Sequence, residues 1–161
     1  MTASGIDWQA NLDRLGLALP PVAAPAGAYI PAIRSGSLVY TAGQLPFVDG
    51  ALSATGKVGA EVNIEDAAHA AGLCALNALA AVHDLVGLDA VVRIVKVVGF
   101  VSSAPGFTDQ PLVVNGASEL LGEVFGAAGA HARSAVGVFE LPKGTPVEVE
   151  LIAEIRGSMG G

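Results

Sequence analysis

The chain has 161 residues, a formal net charge of −7, 52% hydrophobic residues and only 14% charged residues. This length favours one domain, and so little charge suggests that a partner subunit covers part of the surface. An acidic chain without a run of lysine or arginine disfavours nucleic-acid binding, because a phosphate backbone attracts clustered cations.

Several other classes of protein are disfavoured as well. No stretch approaches the roughly 18 uninterrupted apolar residues of a membrane span, and the start MTASGIDWQANLDRLG lacks the pattern of a secretory signal. We therefore expect a cytoplasmic protein without membrane contact. Cys74 is the single cysteine and lies in an apolar run, so we expect it to be buried. His69 and His83 are too far apart on one predicted helix to share a metal ion, and no metal site is expected.

The first third of the chain predicts a short helix and a strand pair. Asp7 to Leu15 has helical character and ends at Gly16, and PPVAAPAG then forms an extended connector. AYIPAIRSGSLVYTAGQLP predicts two strands joined at Ser35–Ser37, with Pro31 indicating that the first strand is irregular or lies at an edge. VDGALSATGKVGAEV predicts one short strand within a loop.

The remainder predicts a helix, a strand, a helix and two strands. Asn63 is a candidate N-cap for a helix that ends near Val86, before Gly87. AVVRIVKVVGFVSS predicts a long strand. Thr108 is expected to cap the second helix, with Pro111 in its first turn. The apolar strands favour a sheet buried on both faces, and two helices cover only one face, so an identical subunit is expected on the other.

The final segment, ARSAVGVFELPKGTPVEVELIAE, contains the residues that carry chemistry best. Arg133 is either a strand-end charge in water or a fork that binds a substrate carboxylate. Glu148, Glu150 and Glu154 share one strand face, which is usually solvated. Ile152 interrupts that face and indicates partial cover. A desolvated glutamate there would have a raised pKa and could transfer protons near neutrality.

Arg133 and Glu148 are predicted to lie apart within one chain. If the last two runs form a simple antiparallel hairpin, Glu148 faces Phe139 and Arg133 lies roughly 20 Å away, at about 3.3 Å per residue. A site that contains both residues would then require a second chain.

Three segments resemble the RidA/YjgF family of enamine and imine deaminases, whose members are often labelled endoribonuclease L-PSP. They are TAGQLP at 41–46, VVNGASELLGEVF at 113–125 and ARSAVGVFELPKGTPVEVELIA at 132–153. The resemblance implies a chorismate-mutase-like α+β fold, with a mixed sheet backed by two helices, and a homotrimer with clefts between subunits. It covers about 27–155, so we expect residues 1–26 to form an N-terminal extension and residues 27–161 the domain.

The resemblance also implies roles for individual residues. Arg133 corresponds to the arginine that binds the carboxylate of a 2-imino or 2-enamino acid, and Glu148 to the acidic residue that activates water. Tyr29, Gly43 and Asn115 correspond to residues that line the cleft. Glu150 receives no role.

Two positions depart from the family pattern. Ala135 occupies the place of a common cleft cysteine, and Ala42 that of a serine before the cleft glycine. Hydrolysis of an imine does not require the thiol, but a smaller, more apolar pocket should change which side chain is accepted.

The leading hypothesis is hydrolytic deamination of 2-imino acids to 2-keto acids and ammonia, without a cofactor, in a homotrimer. The first alternative is a trimer of the same family that binds small carboxylates without turnover. The second is an endoribonuclease, which the net charge of −7 disfavours.

Overall fold

A mixed sheet of five strands carries the fold of the computed structural model, which describes residues 5–157. The helices are α1 (Trp8–Arg14), α2 (Ile64–Val86) and α3 (Gln110–Phe125). The strands are β1 (Ala32–Ser35), β2 (Leu38–Thr41), β3 (Phe47–Val48), β4 (Ala51–Leu52), β5 (Val91–Ser102), β6 (Ala132–Val138) and β7 (Val147–Ile155). The predicted α+β class is confirmed. The glycine-rich loop holds two short strands, β3 and β4, where the sequence predicted one.

The strand order in the large sheet is β1-β2-β7-β5-β6. Strand β6 pairs in parallel with β5, whereas β7 pairs antiparallel with both β5 and β2. The hairpin geometry considered for the last two strands is therefore wrong, because β5 lies between them. Glu148 is the register partner of Phe100 and does not face Phe139. Of the two alternatives that Pro31 indicated for the first strand, irregular or at an edge, the position of β1 confirms the edge.

Helix α2 begins and ends where the sequence predicts. The side chain of Asn63 accepts a hydrogen bond from the amide of Asp66 at 2.8 Å, and Gly87 ends the helix with a φ of 79°. The helix is long and apolar enough to cross a membrane, but 61% of its most apolar window is buried inside the fold. A core helix of a soluble protein has the same properties. Cys74 lies on its fully buried side, as expected.

Helix α3 lies close to both the sheet and α2 because glycines leave room for it. A Cβ at Gly99 of β5 would collide with the side chain of Val114, and one at Gly116 would come within 2.6 Å of the carbonyl carbon of Ala68. The prediction that Thr108 caps this helix is wrong. Asp109 occupies the N-cap position, although its side chain makes no capping hydrogen bond.

The two faces of the large sheet differ sharply. Strand β7 alternates buried and half-buried residues, with Val147, Val149 and Leu151 directed at the helices. Apolar side chains also lie on the opposite face, where Ile33 and Tyr40 are register partners and are 55% and 39% exposed. The prediction that two helices cover only one face is confirmed. The identical subunit expected on the other face stays a prediction.

The N-terminal helix α1 is bound to the rest of the domain. The indole of Trp8 donates a hydrogen bond to Asp89 at 2.7 Å, and the side-chain amide of Asn11 donates to the carbonyl of Val124 at 2.8 Å. Leu12 is fully buried. The expected helix between Asp7 and Leu15 is therefore confirmed.

Candidate functional site

Arg133 is held at the sheet edge by the helix packed beside it. Its Nη1 donates to the side-chain oxygen of Asn115 at 2.8 Å and to the hydroxyl of Ser118 at 3.1 Å. Its Nη2 donates to the carbonyl of Pro111 at 3.3 Å. All three acceptors belong to α3, which the small residues at its packing contacts allow to approach the sheet closely. The guanidinium is thus fixed before any ligand arrives.

The fixed guanidinium still has unused donors. An arginine carries five N–H groups, and the three hydrogen bonds to α3 use two on Nη1 and one on Nη2. The Nε–H and one Nη2–H therefore have no acceptor among residues 5–157. Two donors on one planar group suit a carboxylate, which accepts a pair of hydrogen bonds from arginine.

A second side chain, His131, continues this polar network. Its Nδ1 lies 2.6 Å from the carbonyl of Gly129, and its Nε2 lies 2.9 Å from the hydroxyl of Ser118. Because a carbonyl can only accept, Nδ1 carries the proton, and in the neutral ring Nε2 then accepts from Ser118. The hydroxyl oxygen of Ser118 consequently accepts the hydrogen bond from Arg133. A shallow cavity of about 420 Å³ adjoins Ser118, His131 and Arg133.

Glu148 lines a different and larger cavity. This cavity has a volume of about 720 Å³ and lies between the connector after α1, the segment after β2 and the start of β7. Tyr29, Ala42, Gly43 and Lys143 share its wall with Glu148. The hydroxyl of Tyr29 accepts a hydrogen bond from the amide of Ala26 at 3.2 Å, which holds the ring against the connector.

The segment after β2 is hydrogen-bonded to β7 on either side of Gly43. The amide of Leu151 donates to the hydroxyl of Thr41 at 3.0 Å, and Gln44 exchanges two backbone hydrogen bonds with Val149, at 2.8 and 3.0 Å. These hydrogen bonds hold the backbone of Gly43 against the side chain of Glu148. A Cβ there would collide with the Oε1 of Glu148 and lie 2.8 Å from its Cδ. Glycine at this position therefore lets backbone lie directly beside the carboxylate.

The electrostatic environment of Glu148 favours its protonated form. Burial raises the pKa of Glu148, and the negative charge of Glu150 raises that pKa further. No hydrogen bond or ion pair within residues 5–157 engages its carboxylate. The group is half-buried, so it remains accessible to a ligand or water. Glu148 can therefore accept and release a proton closer to neutrality than an exposed glutamate.

Arg133 and Glu148 do not meet within one chain. Arg133 is the register partner of Val97, and Glu148 that of Phe100, three residues further along β5. At about 3.3 Å per residue and about 4.8 Å per strand, their Cα atoms lie roughly 14 Å apart. Val97 is fully buried under the helices, whereas Phe100 lies on the opposite face. The two groups therefore project from opposite faces of the sheet.

All but one of the residues predicted from the sequence lie at one of two cavities. Tyr29, Ala42, Gly43 and Glu148 line one cavity. Arg133 lies beside the other cavity and donates a hydrogen bond to Asn115. The last predicted residue, Ala135, belongs to neither cavity, because it packs against the hydrophobic core from β6.

Two further residues, Ser118 and His131, were not predicted. Ser118 lies on α3 three positions after Asn115, and His131 lies two positions before Arg133, at the start of β6. Residues three positions apart lie on one side of a helix, and residues two positions apart lie on one side of a strand. That spacing was the available signal.

No cofactor or metal is suggested by the side chains that surround either cavity. Between residues 5 and 157, no group of three or more His, Cys, Asp or Glu side chains is placed to hold a metal ion. The arrangement instead offers an anion-binding fork and a proton-accepting carboxylate, each open to small molecules.

Comparison with known proteins gives the chain a family. Residues 9–155 match the family model described as "YjgF/chorismate mutase-like, putative endoribonuclease". The protein TCP17 of Trypanosoma cruzi is 45% identical over 149 residues, which cover 91% of this chain and 93% of TCP17.

Solved structures agree with this match. The Agrobacterium tumefaciens protein Atu1372, whose function is unknown, is 43% identical with a TM-score of 0.85, and the alignment covers 92% of this chain and 91% of that one. Escherichia coli TdcF, solved with bound serine, is 25% identical with a TM-score of 0.60, and covers 86% of this chain and 94% of its own. The chain belongs to the YjgF/chorismate mutase-like family.

Proposed function

We propose that the protein hydrolyses 2-imino acids, and their enamine tautomers, to 2-keto acids and ammonia in a cleft between subunits. Arg133 of one subunit binds the substrate carboxylate, and Glu148 of a neighbouring subunit directs water to the imine carbon. The observation that carries this proposal is the fixed guanidinium, which keeps two N–H donors free after three hydrogen bonds to α3.

The reaction needs only groups that the chain supplies. Water adds to the carbon of the C=N bond and loses a proton to Glu148. Glu148 returns this proton to the nitrogen and then carries the hydroxyl proton of the resulting carbinolamine to the same nitrogen. The carbon–nitrogen bond breaks, ammonia leaves, and the carbonyl forms. Because the pKa of Glu148 is raised, the same group can accept and return this proton near neutral pH. Arg133 holds the substrate by its carboxylate while the adjacent carbon reacts.

The separation of the two groups supports a site between copies of the chain. Arg133 and Glu148 project from opposite faces of one sheet, and apolar residues remain exposed on the face that holds Glu148. A second copy packed on that face could bring its own arginine to the Glu148 cavity, and three copies related by rotation would give three equivalent sites. TdcF, which was solved with bound serine, shows that a protein of this fold binds an amino acid.

The decisive experiment generates 2-iminopropanoate in situ with a dehydratase and follows its conversion to pyruvate, with semicarbazide trapping the imine that remains. We expect acceleration by the wild-type protein and a loss of about 100-fold or more in Arg133→Ala, because a desolvated charge pair with the carboxylate is removed. Arg34→Ala, which removes an exposed arginine from β1, is the matched control. No acceleration with several imino acids, or full activity in Arg133→Ala, would contradict the proposal.

A carboxylate-binding protein without turnover is the second candidate. It is favoured by Ala42 and Ala135, since neither of these two positions offers a hydroxyl or thiol to assist chemistry. Saturable binding of 2-ketobutyrate, abolished in Arg133→Glu and unaccompanied by turnover of any imine, would establish it. Endoribonuclease activity is not proposed for a chain of net charge −7.

A further inference from the structure

A second cavity adjoins the one that contains Glu148. Its volume is about 710 Å³, and it lies beneath the connector between α1 and β1, against the β3–β4 hairpin and α2. Four residues line both cavities, namely Ala23, Ala24, Phe47 and Gly50. Three of these four have a side chain no larger than a methyl group. The two cavities therefore meet along Phe47, with little side-chain volume between the connector and the hairpin.

The walls of this extended space are mostly apolar. Among its lining residues, the first cavity carries charges only at Lys143 and Glu148, and the second only at Asp49. The side-chain amide of Asn77 is already engaged, since it donates to the carbonyls of Leu45 and Phe47 at 3.0 and 3.2 Å. Beyond the Glu148 end, the space offers apolar contact and no cation to hold a second acidic group.

The size of the space exceeds what a three-carbon substrate needs. Cavities of about 300–1,000 Å³ generally enclose ligands of drug size, and the Glu148 cavity alone has about 720 Å³. A 2-imino acid with a methyl side chain would leave most of that apolar wall in contact with water. A larger apolar side chain would cover the wall and gain the free energy of removing it from water.

We propose that the connector and Phe47 form a side-chain pocket that selects 2-imino acids with branched aliphatic or aromatic side chains. This inference rests on the proposed function for the reacting end of the substrate. The carboxylate is held by Arg133 of the neighbouring subunit and the imine carbon lies at Glu148. The side chain then extends past Ala23 and Phe47 towards the second cavity.

The test compares imines produced in situ by an L-amino-acid oxidase from alanine, leucine and phenylalanine. Each added methylene in an apolar pocket changes kcat/KM by about 10-fold or more. We therefore expect kcat/KM for the leucine- and phenylalanine-derived imines to exceed that for the alanine-derived imine by at least about 10-fold. Equal values, or a preference for the smallest imine, would overturn the inference, because the substrate side chain would then gain nothing from the apolar space.

A pair of variants tests whether the junction of the two cavities causes the preference for imines with large side chains. Ala23→Leu fills the junction between the two cavities and should lower kcat/KM for the large imines by about 10-fold, with little change for the alanine-derived imine. Ala28→Leu is the matched control, because Ala28 belongs to the same connector but lines neither cavity. Equal effects of the two variants on all substrates would contradict the assignment.

Binding of keto acids separates this inference from the proposed function. Dissociation constants for pyruvate, 4-methyl-2-oxopentanoate and phenylpyruvate can be measured by calorimetry without any turnover. Tighter binding of the larger acids, lost in Ala23→Leu, would support the pocket even if no imine were hydrolysed, and the hydrolytic proposal alone would then fail. Imine turnover with no dependence on side chain in either assay would overturn the pocket and leave the hydrolytic proposal intact.

Discussion

The surroundings of Arg133 and Glu148 differ as much as their charges. Arg133 is held by three hydrogen bonds to α3, and the network continues through Ser118 to His131 and a backbone carbonyl. Glu148 lies against the backbone of Gly43 and makes no hydrogen bond within residues 5–157. Burial raises its pKa, and the charge of Glu150 raises that pKa further. One group is thus prepared to bind and the other to change its protonation state.

This difference indicates that the fold assigns ligand binding and proton transfer to two separate groups. A guanidinium held in place loses little conformational entropy when a carboxylate binds, so more of the interaction energy contributes to affinity. A carboxylate without partners can change its charge without breaking a hydrogen bond, so its proton affinity follows its burial. Placing these two requirements on opposite faces of the sheet lets each be met without disturbing the other.

The largest effect should come from removing the proton-accepting group. Glu148→Gln keeps the shape of the side chain but prevents it from taking a proton from water, and general base catalysis contributes about 10²- to 10⁴-fold. We expect kcat for imine hydrolysis to fall by that factor while the dissociation constant for a keto acid changes little. Glu119→Gln, which removes the same charge from an exposed position on α3, is the control. A variant of Glu148 with wild-type kcat would leave the carboxylate without a chemical role.

Co-production of two inactive variants tests whether the two groups act across subunits. If each site takes Arg133 from one chain and Glu148 from the next, random assembly of Arg133→Ala with Glu148→Gln leaves about one interface in four with both native residues. Activity should therefore recover to about a quarter of the wild-type value. Absence of recovery in mixed oligomers, verified by mass spectrometry, would place the whole site within one chain.

Most local features of the fold were well predicted because they depend on neighbouring residues, although the N-cap of α3 is Asp109 and not Thr108. Asn63 and Gly87 fixed the bounds of α2, since capping is decided within one turn of helix. Pairing of distant strands is not a local property. Nothing in the run from Arg133 to Glu148 reveals that β5 inserts between its two strands, and the turn around Lys143 resembles that of a hairpin.

The site was predicted in part for a related reason. The segment around Gly43 and the strand that begins before Glu148 carry the family motif, and the structure brings both to one cavity. The contribution of Ser118 and His131 depends on how α3 lies over β6, which a pattern of hydrophobic residues does not encode. Their hydrogen bond joins residues 13 positions apart, in two different elements.

A smaller effect should follow when the support of Arg133 is weakened. Ser118→Ala removes one of the three acceptors of the guanidinium and its link to His131, while Asn115 and Pro111 remain. A hydrogen bond of this kind contributes about 0.5–1.5 kcal/mol, so we expect KM to rise about 3- to 10-fold with kcat nearly unchanged. Ser35→Ala on the exposed strand β1 is the control. A fall in kcat at constant KM would instead place Ser118 in the chemical step.

The smallest effect concerns the stability of the fold and requires no substrate. Because burial raises the pKa of Glu148 above its ordinary value of 4.5, folding favours the protonated carboxyl. This preference stabilises the protein fully below the unfolded pKa and is lost as the pH rises through the folded pKa. At neutral pH the buried charge opposes folding, and Glu148→Gln removes it. The variant should therefore be more stable than wild type at pH 7.5 and equal to it near pH 4.

Thermal unfolding at fixed protein concentration measures this difference. A change of 1 kcal/mol moves the melting temperature of a domain of this size by roughly 2–4 °C. Since Glu148 is only half-buried, solvent screening should limit the gain at pH 7.5 to about 1–3 °C. Glu119→Gln, which removes the same charge from an exposed position on α3, should show no comparable dependence on pH. A gain at pH 4 equal to that at pH 7.5 would mean that the variant is stabilised by a change in packing, rather than by loss of the unpaired charge beside Gly43.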